Sequence, residues 1–253
     1  MQNTSFQVVI PARFASTRFP GKVLTMLAGR PVIEHVWRRA KQSGAAGVII
    51  ATDDERIAAA GRAFGADVQL THAGHRSGTE RAAEVATVRG WPDDVLVVNC
   101  QGDAPLIPPA CINQVAELLA AHPDAAIATL STPIDNVADY RSADVVKVVC
   151  AADGRALYFS RSPIPATSHA TTPGSIALPA SLRHVGLYAY RVAALKRLAG
   201  APPCELEITE SLEQLRALWL GLQIQVGQAV EALGPDVDSP EDLARAVNFL
   251  NTA

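Results

Sequence analysis

Three cations, Arg13, Arg18 and Lys22, share one short segment with the hydroxyls of Ser16 and Thr17 and with Gly21. Fixed cations and backbone amides in a loop bounded by proline and glycine can cradle a polyanion such as a triphosphate. A solvated basic loop is the plainer reading of the same residues. Their place directly after an apolar run, with Pro11, Pro20 and Gly21 constraining the backbone, favours anion binding. Two aspartates are candidates for holding a hard metal ion, which takes one or two protein carboxylates together with substrate phosphates. Asp103 follows an apolar run and the Gln101-Gly102 pair, so its carboxylate is expected in a turn beyond a strand. Asp238 precedes a helix start marked by Ser239 as N-cap, Pro240 at the first helical position and Asp242 at the capping-box position. Turn-forming and helix-start roles would account for these two residues as well. His72 and His75 have H-x-x-H spacing, yet no cysteine or carboxylate at ligand spacing completes a zinc set. A structural or ligand-contacting role is expected for His75.

Such residues need strands to position them. Apolar runs at 6–10, 48–52, 68–70, 95–99 and 126–130 alternate with amphipathic stretches at 32–41, 55–64, 79–88 and 110–121. Nearly continuous apolar runs are expected of strands covered on both faces. Their alternation with helices predicts an α/β fold, Rossmann-like, with a mostly parallel sheet flanked by helices. In such sheets the ligand crevice lies beyond the carboxyl ends of the strands. Further on, strands are predicted at 145–150 and 157–160, joined by an Asp153-Gly154 turn, then at 183–190 and 222–226. Helices are predicted at 192–198, 206–220 and 240–250, and residues 162–181 read as a long surface loop. In the 206–220 helix, Ile208, Leu212, Leu215 and Trp219 form a core-facing stripe, while Glu207, Glu210 and Gln214 share another face. Of Tyr188 and Tyr190, one is expected to face a pocket. Residues 1–253 read as one continuous domain, with about 155–220 forming a lobe within it.

The 253 residues carry a net charge of −3 and are 49% hydrophobic, a globular composition without the cationic field of a general nucleic-acid binder. No apolar run approaches the roughly 18 residues of a membrane helix, and the N-terminus lacks the pattern of a secretory signal. The expectation is a soluble cytoplasmic protein with no nucleic-acid or membrane partner. The four cysteines form no C-x-x-C pair and are expected to be reduced and mostly buried. No G-x-G occurs, which disfavours a dinucleotide fold. Ser16 and Val23 break a Walker A pattern around Gly21-Lys22, and there is no G-x-S-x-G elbow.

The segment from Pro11 to Lys22 is similar to the PAR-x-x-STR-x-PGK signature of the CMP-Kdo synthetases, the 3-deoxy-manno-octulosonate cytidylyltransferases of the sugar nucleotidyltransferase superfamily. Further blocks resemble that family in order along the chain. They include Ala51-Thr52-Asp53, His75-x-Ser77-Gly78-Thr79-Glu80-Arg81 and Val98-Asn99-x-Gln101-Gly102-Asp103. Leu157-Tyr158-Phe159-Ser160-Arg161, Arg183-His184-x-Gly186-x-Tyr188-x-Tyr190-Arg191, Leu212-Glu213-Gln214-Leu215-Arg216 and Val237-Asp238-x-Pro240-Glu241-Asp242-Leu243 follow.

The resemblance implies the nucleotide-diphospho-sugar transferase fold, with an inserted α+β lobe for dimerisation and sugar binding. It implies transfer of CMP from CTP to the anomeric hydroxyl of 3-deoxy-D-manno-octulosonate (Kdo), with release of pyrophosphate, for lipopolysaccharide biosynthesis. It further implies Mg²⁺ held by Asp103 and Asp238, and a catalytic set of Arg13, Lys22, Asp103 and Asp238. The implied nucleotide contacts are Ala12, Arg13, Ser16, Lys22, Ser77, Gly78, Arg81, Gln101 and Asp103. The implied sugar contacts are Arg161, His184, Tyr188, Glu210 and Gln214, and the implied assembly is a homodimer. Arg18 is either a third phosphate contact or a surface residue, and Arg183 either an ion-pair partner or a ligand contact. A solvated polar face would account for Glu207, Glu210 and Gln214 too.

Two positions depart from the family pattern. Ala104 stands where Q-G-D-E-P has Glu, and if that Glu adds charge near the metal in the family, the charge is lost here. Asp236 stands where Gly is common, and is expected as an exposed turn residue or as extra negative charge. Another acidic sugar, such as 8-amino-Kdo or a sialic acid, is the nearest alternative substrate. A non-catalytic nucleotide-binding homologue is the alternative of another class.

Overall fold

The computed structural model describes residues 4–15, 19–166 and 181–252, so Ser16, Arg18 and most of the 162–181 loop lie outside the described residues. The strands are β1 (Phe6–Ala12), an unpredicted two-stranded hairpin β2 (Met26–Leu27) and β3 (Arg30–Pro31), β4 (Gly47–Thr52), β5 (Asp67–Leu70), β6 (Leu96–Asn99) and β7 (Ile127–Pro133). They are followed by β8 (Lys147–Cys150), β9 (Ala156–Ser160), β10 (Leu182–Arg191) and β11 (Ile224–Gln228). The helices are α1 (Val32–Lys41), α2 (Glu55–Ala63), α3 (Gly78–Val88), α4 (Pro109–Ala121) and α5 (Val137–Arg141). After β10 come α6 (Val192–Ala199), α7 (Glu205–Glu210), α8 (Gln214–Trp219) and the closing α9 (Pro240–Thr252). The β2–β3 hairpin and the single-turn α5 are too short to leave a periodic signal in the sequence.

Among the described residues one nine-stranded sheet runs in the order β11-β7-β10-β6-β1-β4-β5, and β8 joins β9 to β10. β1 is parallel to β4 and β6, β4 to β5, and β11 to β7, while β10 is antiparallel to β6 and β7. The strand alternation explains the unbroken apolar runs. Val8 and Ile10 of β1 pack with Ile33 and Val36 of α1, Ile57 of α2 and Ile112 of α4, whereas Val9 faces the other way, into Ala82, Val85 and Leu195 of α3 and α6. Cys100, Cys111 and Cys204 are buried and all four thiols are free.

Two expectations need correction. The helix predicted over 206–220 is broken at Ser211, whose φ of 52° is left-handed, and separates α7 from α8. A left-handed residue resets the helical phase, so the apolar stripe does not continue. Leu212 and Leu215 are buried, but Ile208 is 68% and Trp219 60% exposed. Tyr188 and Tyr190 lie on the same face of β10, as residues two apart on a strand must, with ring centroids 5.7 Å apart.

Candidate active site

The carboxyl ends of β1 and β6 meet in one crevice because Gly102 allows it. A Cβ there would stand 2.8 Å from the Pro11 carbonyl oxygen, so only glycine lets the turn after β6 lie against the end of β1. Asp103 leaves that turn, and its carbonyl accepts from the Val237 N–H at 2.8 Å, which fixes the neighbouring Asp238 beside it. Lys22 enters from the single 3-10 turn that opens after Gly21, a residue with φ of 72°. Its ammonium bonds the Asp103 carboxylate and, at 2.6 Å, the Asp238 carboxylate. Burial alone would lower the Lys22 pKa; the two carboxylates outweigh it and raise that pKa above its ordinary value.

On one side of this trio lies a polar cleft lined by Ala12, Arg13, Lys22, Ser77, Gly78, Arg81, Gln101 and Asp103, every described member of the expected nucleotide set. His75 and Arg76 also line it. His75 is marked by its spacing from His72, whereas Arg76 belongs to no distinctive spacing and the sequence leaves it unmarked. The His75 ring bonds the Glu84 carboxylate, and the Arg76 N–H reaches Glu80 at 2.8 Å, which orders the segment leading into α3. Arg81 is buried, bonded to Thr71 and 3.0 Å from Asp53, and its burial lowers its pKa. It braces the end of β4 against α3 from within the cleft wall.

On the other side lies a cavity of ≈ 700 Å³ that shares Gln101 with the cleft and includes Asp238, Arg183, His184, Asp144, Asp236 and Arg245. Asp236 is exposed, as expected from the sequence, and it also lines this cavity. Its pKa is pushed up to about 7 by burial and by the negative charges of Asp103 and Asp238, against Arg183 and Lys22. Ala104 lines the same cavity. Arg183 makes no ion pair among the described residues and is available to a ligand in this cavity. Burial pushes the His184 pKa down to about 3, and its ring packs 5.0 Å from Phe159 and 5.2 Å from Tyr188. Its Nε2 lies 3.0 Å from Thr129 Oγ1, whose proton serves the Val185 and Leu187 carbonyls at the bulge in β10, so Nε2 is the donor.

The structure does not bring the remaining expected sugar contacts to this cavity. Tyr188, Arg161, Glu210 and Gln214 line neither cavity. The Glu210 carboxylate accepts from Ser160 Oγ at 2.7 Å and from the Arg161 N–H at 2.8 Å, and Arg161 Nε donates to the Glu210 carbonyl at 2.8 Å. These contacts lash α7 to β9. Sequence spacing showed a shared helix face but not what lay opposite it.

Asp103 and Asp238 converge on a single cation, the Lys22 ammonium, so their oxygens face a common point between the cavities. No group of three or more acidic, histidine or cysteine side chains that could hold a metal occurs among the described residues. A two-carboxylate arrangement therefore fits a magnesium ion that completes its octahedron with water and phosphate, and does not fit an all-protein cage. No helix among the described residues is long and apolar enough to cross a membrane.

A cytidylyltransferase family model matches residues 7–224. The 3-deoxy-manno-octulosonate cytidylyltransferase of Pseudomonas syringae pv. tomato is 53% identical over 249 residues, covering 97% of this chain and 98% of its own. The protein of that name from Thioalkalivibrio sulfidiphilus is 53% identical over 247 residues, covering 97% and 99%. Among solved structures, a CMP:2-keto-3-deoxy-manno-octonic acid synthetase complexed with CTP superposes with a TM-score of 0.88 at 38% identity, over 98% of this chain and 99% of that one. A 4-diphosphocytidyl-2C-methyl-D-erythritol synthase, at 11% identity and TM-score 0.64 over 99% of both chains, shares the fold.

Proposed function

The chain belongs to the 3-deoxy-manno-octulosonate cytidylyltransferase family of nucleotidyltransferases, and from that premise we propose that it joins CTP to the anomeric hydroxyl of Kdo, giving CMP-Kdo and pyrophosphate. The observation that carries this reading is the meeting of two cavities at Gln101, with Lys22, Asp103 and Asp238 at their junction. A nucleotide in the cleft beside Ser77 and Gly78 would direct its phosphates toward Arg13 and Lys22. An acidic sugar in the cavity beside Arg183 and His184 would approach the same junction from the opposite side. That arrangement suits in-line attack of the sugar oxygen on the α-phosphorus, with pyrophosphate leaving away from it.

Arg13 offers a planar fork and Lys22 a point charge for the negative charge that grows on the phosphates. Lys22 exchanges its carboxylate partners for phosphate oxygens as the nucleotide enters. Arg183 and Arg245 supply cations for the sugar carboxylate. Asp103 and Asp238 would hold Mg²⁺, which would supply charge neutralisation on the phosphates and favour deprotonation of the attacking hydroxyl. The same reading puts the enzyme in the cytoplasm, with its product used for lipopolysaccharide. A homodimer is part of it, supported by the exposed apolar side chains of Leu157, Ile208 and Trp219.

The carboxylates of Asp144 and Asp236 in the sugar-side cavity favour one second reading, an amino-substituted Kdo whose ammonium they would pair. Pyrophosphate release from CTP and Mg²⁺ with Kdo, 8-amino-Kdo and sialic acid in parallel separates these substrates. Turnover with Kdo is expected, and release with sialic acid but not Kdo would overturn the proposal. Asp103→Asn is expected to abolish metal-dependent turnover at an unchanged unfolding temperature, and full retained activity would remove Asp103 from the mechanism.

A further inference from the structure

Ser77 is the N-cap of α3, and its Oγ accepts from the Glu80 N–H at 3.2 Å. The same Oγ donates to Glu213 Oε1 at 2.8 Å, across a gap of 136 positions in the chain. Thr79 Oγ1 donates to the other carboxylate oxygen at 2.8 Å, and Arg216 Nη2 lies 2.8 Å from Oε1. Arg216 cannot swing away. It is buried, and its Nη1 donates to the carbonyls of Leu198 at 3.1 Å and Ala201 at 2.8 Å. The Glu213 carboxylate is therefore held against the first turn of α3 by donors on both oxygens.

A hydroxyl has one proton and two lone pairs. At Ser77 the proton is committed to Glu213 and one lone pair to the Glu80 amide, while the residue still lines the nucleotide cleft. One lone pair is left to face a ligand. We propose that Glu213 sets the base preference of this cleft by taking the Ser77 proton, so that Ser77 accepts from an exocyclic amino group and repels an exocyclic carbonyl. Cytosine carries the amino group at that ring position and uracil the carbonyl, so the arrangement selects CTP over UTP. Glu213 acts through Ser77 and is a positioning residue. The inference rests on reading this cleft as the nucleotide site.

The test is equilibrium binding of CTP and of UTP, each with Mg²⁺, to the wild-type chain and three variants, with thermal unfolding measured alongside. The wild type is expected to bind CTP more tightly than UTP. Glu213→Ala frees the Ser77 proton to turn into the cleft and is expected to reduce the CTP-to-UTP affinity ratio by about tenfold or more, the scale of one mispaired polar contact. Glu213→Gln is expected to keep the ratio, because Arg216 holds the amide oxygen at the Oε1 position and the altered end faces Thr79. Ser77→Ala removes the reader and is expected to reduce the ratio as Glu213→Ala does. A purely structural role for Glu213 would weaken both nucleotides in proportion and leave the ratio unmoved, which overturns the proposal. Should Glu213→Ala fail to fold, a wild-type ratio in Ser77→Ala overturns it. Failure of the wild type to bind either nucleotide would instead overturn the reading of the cleft.

Discussion

Replacing Glu210 by alanine separates a brace of the fold from a contact with the sugar. The carboxylate accepts from Ser160 Oγ at 2.7 Å and from the Arg161 N–H at 2.8 Å. Ser160 is buried and retains only the Ser162 N–H at 2.9 Å, while Arg161 loses its amide acceptor. Bonds to a charged acceptor contribute about 1.5–3 kcal/mol each when well shielded. Glu210 is partly exposed, so water recovers some of that, and the pair is worth about 2–4 kcal/mol together. For a chain of this length about 2–4 °C of unfolding temperature accompanies each kcal/mol, which puts the expected fall at about 4–16 °C. Thermal unfolding followed by circular dichroism measures it. Glu210→Gln keeps one acceptor oxygen and is expected to fall about half as far. An alanine variant that unfolds within about a degree of the wild type, with the KM for Kdo raised about tenfold, would refute the bracing role and return Glu210 to the sugar.

Gly102→Ala would set a Cβ 2.8 Å from the Pro11 carbonyl oxygen, and backbone cannot yield as a flexible side chain does. The Asp103 turn must shift, and kcat is expected to fall on the order of a hundredfold with a small change in unfolding temperature; an unchanged kcat would refute the close-approach argument. His184 is held neutral at a pKa of about 3, against 6.5 ordinarily, so between those values the unfolded chain binds more protons than the folded one. Its contribution is complete above about pH 6.5 and is lost as the pH falls toward about 3, by a few kcal/mol in all. Urea unfolding at about pH 7 and about pH 4 should show a smaller acid loss in His184→Gln than in the wild type, and equal losses would remove His184 from the linkage.

Much of the scaffold was legible because it rests on local periodicity. The bounds of α1 match the amphipathic stretch at 32–41, and the runs at 6–10, 48–52 and 95–99 sit within or beside β1, β4 and β6. Motif spacing likewise marked Lys22, Asp103 and Asp238, since each follows or precedes an element whose end could be read. The 206–220 segment reads as one helix because the helical spacing of its apolar residues continues across Ser211. The left-handed Ser211 separates Glu210, bonded to β9, from Glu213, bonded to α3, and no local spacing encodes either partner.

The sequence alone determined the alternation of strands and helices, the crevice beyond their carboxyl ends and the residue types waiting there, because helix and strand periods and turn chemistry are local. Only the tertiary structure decided which of those residues meet. It put Lys22 between Asp103 and Asp238, turned Asp236 into the sugar-side cavity and took Glu210 and Arg161 out of it. It also gave Glu213 the hydroxyls of Ser77 and Thr79. Hydrogen bonds of that kind join positions far apart in the chain, and no local period encodes where a side chain finds its partner across a packed interface.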